Sequence, residues 1–162
     1  MEGTGQYSSE KIHCQECCEK HHRSGKTSYY HQMLGAVIVH PDQKIVVPLA
    51  PEPITKQDGN NKNDCERNAA KRLLENIRRE HPHLKLIVVE DGLSSNGPHI
   101  ELLKSLKMSF ILGAKPEDHK FLFDWVSHTK CEEYEEVDKH GIRHCYKFIN
   151  AVPLNEARFN LQ

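Results

Sequence analysis

The sequence predicts a mixed α/β fold, and three patterns carry that prediction. Two β-rich runs flank a turn at Pro41-Asp42, an amphipathic stretch lies between about Asp64 and Glu80, and a strand–helix–strand pattern runs from Leu84 to Leu112. The chain has 162 residues, the size of one ordinary domain or of a core with an appendage. Leu, Ile, Val and Phe make up about 23% of it, above the roughly 20% below which chains stay disordered. With 22 basic and 23 acidic residues the formal net charge is −1. That excludes a polybasic tail but leaves room for a local basic face. No apolar run approaches the ~18 residues of a membrane helix. The opening Met1–Gly5 lacks the basic and apolar parts of a secretory signal, so a soluble, intracellular protein is expected.

Residues 1–28 are polar and rich in Cys and His, with no apolar period. Tyr29 to Val39 then turns apolar, His40-Pro41-Asp42-Gln43 reads as a turn, and Lys44 to Leu49 completes a hairpin. Pro48, Pro51 and Pro53 argue against a regular strand, so 50–62 reads as a loop. The helix from about Asp64 to Glu80 has a capping box in Asn63 and Glu66 and an apolar face of Cys65, Ala69, Leu73 and Ile77. Pro82 stops it, and Lys62, Arg67, Lys71, Arg72, Arg78 and Arg79 lie opposite. This basic face reads first as solvated surface with pairs such as Glu75 and Arg79.

Leu84 to Val89 is nearly unbroken in its apolar character, as a strand covered on both faces requires. Ser95 or Asn96 caps a second helix with Pro98 in its first turn and Ile100, Leu103 and Leu106 inward. Met108 to Leu112 is another buried strand, parallel to the first through a right-handed crossover. Lys120 to Ser127 reads as a short helix on the core, with Trp125 a core residue. Glu132 to Val137 and Ile142 to Ile149 form a second hairpin with an acidic and a basic arm. Cys131 and Cys145, on opposite arms, are expected to pack together.

Three features could carry chemistry. Asp91 follows a buried parallel strand and precedes Gly92, so it points into the crevice where open α/β sheets bind ligands. A carboxylate there can hold a hard ion such as Mg²⁺, or simply cap a turn. Glu2 is a second acid, in a polar string that reads as the end of a strand or as a frayed terminus. Third, His13-Cys14-x2-Cys17-Cys18-x2-His21-His22 places six candidate ligands within ten residues. Six cysteines are too sparse for a disulfide scaffold. Cys14 and Cys17 can clamp one tetrahedral zinc ion, with Cys18, His21 or His22 completing the set. The alternative is a loop of reduced thiols.

Several ordered blocks span nearly the whole chain. They are Gly3-Thr4-Gly5, Tyr7-Ser8-Ser9, the Cys/His cluster, Tyr30-His31-Gln32-Met33 and Pro51-Glu52-Pro53-Ile54. Lys62-Asn63-Asp64-Cys65-Glu66, Val88-Val89-Glu90-Asp91-Gly92 and Phe110-Ile111-Leu112-Gly113-Ala114-Lys115 follow. Together they resemble the catalytic domain of a family of bacterial insertion-sequence transposases of the DDE class. The resemblance implies an RNase H-like core over 1–115, a mixed sheet of antiparallel hairpin plus βαβ unit flanked by helices. It implies the start of a β-rich insertion over 116–162. It also implies a bacterial cytoplasmic location, DNA transposon ends as partner, a homo-oligomer, and phosphoryl transfer with Mg²⁺ or Mn²⁺. Asp91 would be the second catalytic acid, and Glu2 stands where the family has its first, an Asp.

Three departures qualify what is implied. Glu is longer than Asp by one methylene, the apolar body of the first strand is missing, and the family's third acid, a Glu on a later helix, has no match among Glu132, Glu133, Glu135, Glu136 or Glu156. The expectation is therefore a transposase fragment, truncated at both ends and inactive alone. One alternative is a non-enzymatic, zinc-stabilised module that binds DNA or the intact transposase. Another is a metal-dependent phosphohydrolase of a different α/β class, disfavoured by the antiparallel hairpin and the lack of a lysine motif.

Overall fold

The computed structural model describes residues 1–56 and 64–155, with Glu2 described by its backbone. The chain divides into two units, Met1–Leu112 and Gly113–Gln162. The first holds strands β1 (Glu2–Ser9), β2 (Cys18–His21), β3 (Thr27–Gly35), β4 (Val37–His40), β5 (Gln43–Pro48) and β6 (Glu52–Ile54). Helix α1 (Glu66–Glu80), strand β7 (Ile87–Glu90), helix α2 (Gly97–Ser105) and strand β8 (Ser109–Leu112) follow.

β3 is the centre of a four-stranded antiparallel sheet. β1 runs along one edge, from Glu2 opposite Gly35 to Ser9 opposite Tyr29, with a bulge between Gly5 and Tyr7. β2 pairs with the first half of β3, and β6 with Gln32, Met33 and Leu34. Three of these strands differ from expectation, β2 because Cys18–His21 lies in the Cys/His-rich stretch expected to be a connection. The polar opening is an eight-residue strand, not the last residues of one, held by the backbone ladder while Thr4 to Ser8 stay exposed. Within the presumed loop, Glu52–Ile54 forms a short edge strand, where Pro53 need not donate to the ladder. Residues 57–62 of that loop, and the expected cap Asn63 and the basic Lys62, lie outside the described residues.

The hairpin is present as β4 and β5, in a sheet of its own, but its first arm is only Val37–His40, because most of the expected arm from Tyr29 belongs to β3. β7 and β8 pair in parallel as a third small sheet, with α2 between them in sequence. The hairpin and the βαβ unit therefore do not share one hydrogen-bonded sheet. The two-sided burial expected of β7 and β8 is also absent. Ile87, Val89 and Ile111 are 64%, 59% and 61% exposed, so each strand alternates like a sheet covered on one face.

α1 supplies the core, burying Ala69, Ala70, Leu73, Leu74 and Ile77 in one cluster with Leu34, Ile54, Leu103 and Met108. Cys65 is not on that face. It is the extended residue before the first helical turn, and it is exposed. Asn96 caps α2 by accepting from the His99 amide.

Two arginines of the basic face do structural work. Arg78 donates to the carbonyls of Leu106, His81, Pro82, Leu84 and Lys107 at 2.9–3.4 Å, fastening the end of α1 to the α2–β8 junction. Arg72 donates to Glu52 at 2.5 Å, to Asp64 at 2.6 Å and to the Pro53 carbonyl at 3.1 Å, stapling α1 to β6. Arg79 pairs with Glu80 at 3.8 Å rather than with Glu75.

The second unit contains α3 (Lys120–His128) and an antiparallel hairpin of β9 (Glu132–Val137) and β10 (Arg143–Phe148). Trp125 in α3 is half-buried and stacks on Phe121. Acidic and basic arms pair as expected, with Lys147 opposite Glu133 at 2.8 Å. Asp138 accepts from the His140 and Ile142 amides and closes the turn at Gly141, whose φ is +79°. Cys145 lies opposite Glu135, and Cys131 precedes β9, so the two thiols are not cross-strand neighbours.

The Asp64 side chain is 3% exposed. Burial pushes its carboxyl up, but hydrogen bonds from Arg72, the Cys65 amide and Asn68 outweigh burial and hold it below the ordinary carboxylate range. Its stabilisation is complete above the unfolded carboxylate pKa of about 3.9 and is lost as pH falls through the lower folded value. Asp64→Asn should cost about 2 kcal/mol at pH 7, measured by urea denaturation, and that deficit should shrink as pH falls through the Asp64 titration.

Candidate functional site

A cleft of about 650 Å³ opens where β1 begins and β7 ends, lined among others by Met1, Gly3, Glu66, Lys71, Glu90 and Asp91. Backbone geometry makes this junction. Glu2 pairs with Gly35 on β3, and the Met1 ammonium donates to the Val89 carbonyl at 3.1 Å. The chain's opening residues thus lie beside the strand that delivers Asp91. The Glu2 carboxylate is outside the described atoms.

Two adjacent acids, Glu90 at the end of β7 and Asp91 just after it, have different surroundings. Glu90 faces inward and is buried, accepting from Ser94 Oγ at 3.0 Å and facing His99 Nε2 at 2.6 Å. Both side chains of the Glu90–His99 pair are nearly inaccessible, at 3% and 7%. Asp91 faces out, and its Oδ1 accepts from the Leu93 amide at 3.1 Å, capping a single 3-10 turn over Gly92–Ser94. Its other carboxylate oxygen has no hydrogen-bond partner among the described residues.

A third acid enters from the first turn of α1. Glu66 accepts from the Gln32 amide at 2.9 Å and passes so close to Gly3 that a Cβ at that position would clash with it. A side chain at position 3 would force the Glu66 carboxylate to move. Arg67 and Lys71, both exposed, also line the cleft, placing positive charge beside the acids. The sequence does not point to Glu90 or His99 as site residues, and it points to Glu66 only as part of a helix cap, whereas the residue before the helix is Cys65, with no side-chain cap. The inward phase of β7 was the available signal for Glu90, obscured by reading the strand as buried on both faces.

The Cys/His cluster resolves into separate roles. Cys14, Cys17 and His31 bring one ligand atom each into a group within 4.8 Å. Cys18 is fully buried, and its thiol donates to the Ile54 carbonyl at 3.4 Å. Burial comes first, and the nearby charges of Asp64 and Cys17 second, in pushing that thiol's pKa up. His21 faces Thr27 Oγ1 at 3.0 Å, His22 faces Ser28 Oγ at 2.6 Å, and His13 stacks on Tyr29. None of these four joins the group. All six cysteines are free.

Replacing His99 with alanine should leave a buried carboxyl group without its partner and cost about 3 kcal/mol. In a urea-denaturation double-mutant cycle, Glu90→Gln combined with His99→Ala should cost clearly less than the two single changes added. Among the described residues, no helix is long and apolar enough to cross a membrane. Compared with known proteins, the chain matches no family model, no curated protein and no solved structure.

Proposed function

We propose that this chain is a DNA-acting, metal-dependent phosphoryl-transfer domain, RNase H-like and of the DDE transposase type its sequence resembles. The observation that carries the reading is the junction of β1 and β7, joined by the Met1–Val89 hydrogen bond. It sets the chain's opening beside Asp91 at the rim of a cleft. Asp91 fits a hard divalent ion: it is exposed, and one carboxylate oxygen is open. Mg²⁺ or Mn²⁺ held there would activate water or a DNA 3′-hydroxyl and stabilise the leaving oxygen. Arg67 and Lys71 at the rim would hold backbone phosphates of the DNA partner.

The other two acids of the cleft are committed elsewhere, Glu90 to His99 and Ser94, Glu66 to Gln32. The chain on its own is thus expected to bind metal and DNA without cutting. Zinc is the second metal of this reading, at Cys14, Cys17 and His31, where it would tie the connection after β1 to the central strand.

One observation favours the non-enzymatic alternative. Ile87, Val89 and Ile111 expose an apolar strand face suited to another protein, such as the intact transposase in a mixed oligomer.

DNA binding and metal binding separate these readings. Duplex DNA should bind at low salt and weaken steeply as salt rises. Arg67→Ala with Lys71→Ala should reduce the log–log salt slope by about 2. Mn²⁺ should broaden amide NMR signals around Gly92 and Leu93, and Asp91→Asn should abolish the effect. Absence of both DNA binding and Mn²⁺ broadening sinks the proposal. Binding to intact transposase without DNA binding would establish the alternative.

A further inference from the structure

We infer that Cys14, Cys17 and His31 form a zinc site with three protein ligands, the fourth position being taken by an exchangeable solvent ligand. This deepens the zinc component of the proposed function and can be tested without DNA, so its failure and that of the DNA reading are distinguishable.

The three ligand atoms form a closed triangle. Cys14 Sγ and Cys17 Sγ are 3.6 Å apart, and His31 Nε2 is 3.4 Å from the first and 3.2 Å from the second. Zinc bonds of about 2.3 Å to sulfur and about 2.0 Å to nitrogen give tetrahedral edges of roughly 3.8 Å for S···S and roughly 3.6 Å for S···N. The observed edges fall just inside those values. Thiols are weak hydrogen-bond donors, so ordinary hydrogen bonding gives three such groups little reason to converge. A shared cation does.

Backbone structure explains the convergence. β2 begins with Cys18 opposite Tyr30, which carries the register on to Cys17 beside His31. A tight turn, with the Cys17 amide donating to the Cys14 carbonyl at 3.3 Å, folds Cys14 back onto the same spot. The Cys14 amide also donates to Cys17 Sγ at 3.3 Å, which fixes the position of that sulfur within the triangle. Two thiolates and an imidazole are the donor set zinc prefers over harder ions.

The open position follows from what surrounds the triangle. Among the described residues, no fourth His, Cys, Asp or Glu joins the group. Cys17 is buried and His31 half-buried, while Cys14 is exposed, which leaves one side of the site facing solvent. Structural zinc sites fill four positions with protein; sites with three protein ligands keep one for water or another small ligand.

The test uses the full chain, purified reduced and loaded with zinc or cobalt. One equivalent of zinc should survive desalting. Cys14→Ser and His31→Ala should each weaken zinc binding more than tenfold, while Cys18→Ala, His21→Ala and His22→Ala retain it. Cys14→His, which keeps a ligand, should restore binding with about half the thiolate–cobalt charge-transfer absorption, and far-UV circular dichroism reports whether each variant folds. Added azide should shift the visible cobalt bands, because it can enter the open position. Absence of zinc, or its loss in His21→Ala or His22→Ala but not in His31→Ala, overturns the ligand assignment. Cobalt bands unmoved by azide overturn the open position.

Discussion

The register of β3 is the constraint on which the rest of the first unit depends. This one strand is paired along both edges, with β1 on one side and β2 and β6 sharing the other. Successive residues therefore serve different ends. His31 reaches the two cysteines, Gln32 anchors the Glu66 carboxylate, and Leu34 enters the core. A slip of one residue would exchange the faces of all three. The core also pins the register, since Leu34 and Ile54 pack in one cluster with the apolar face of α1.

The same logic of alternation divides the labour at the end of β7. Adjacent residues of a strand point to opposite faces, so two neighbouring acids meet different surroundings. Glu90 meets His99 and Ser94 in the interior. There its hydrogen bonds compensate for lost solvation, and its pairing ties β7 to α2. Asp91 stays at the rim, where solvation costs nothing and one oxygen remains open. An acid proposed to hold a metal ion needs that openness, and the scaffold beneath it needs the buried pair. The fold thus provides both from one dipeptide.

Elements with strong periodicity were legible in the sequence because burial fixes them. α1 keeps its apolar residues on one side, α2 has its Asn96 cap, and the late hairpin has complementary charges on its arms. β1 and β2 were not legible, because their side chains face mostly outward and leave no alternation to read. Cys65 was misplaced by extending the helical period one residue past its true start. The Cys/His group was half legible. Local spacing pointed to Cys14 and Cys17, but His31 is distant in sequence and joins only through strand pairing. Cys18 dropped out because it sits next to Cys17 in the chain, and its thiol turns to the Ile54 carbonyl.

The position of the proposed zinc site bears on why a strand as polar as β1 can hold its place. β1 contributes no residue to the buried core cluster, so hydrophobic burial does little to fix it. Its backbone ladder to β3 supplies the pairing, yet ladder hydrogen bonds alone are of modest net worth against water. The connection after β1 passes directly through Cys14 and Cys17 before β2 starts. A metal bound there, with His31 of β3 as third ligand, would close that connection onto the central strand, and its binding free energy would add to that of folding. Zinc in this position, as proposed, would substitute for the apolar contacts that the first strand lacks. The cleft benefits in turn, because the opposite end of β1 carries Met1 and Gly3 to the rim beside Asp91. In the proposed reading, soft ligands at one end and an oxygen ligand at the other would also keep the two metal chemistries apart, since thiolates select zinc and carboxylates favour magnesium.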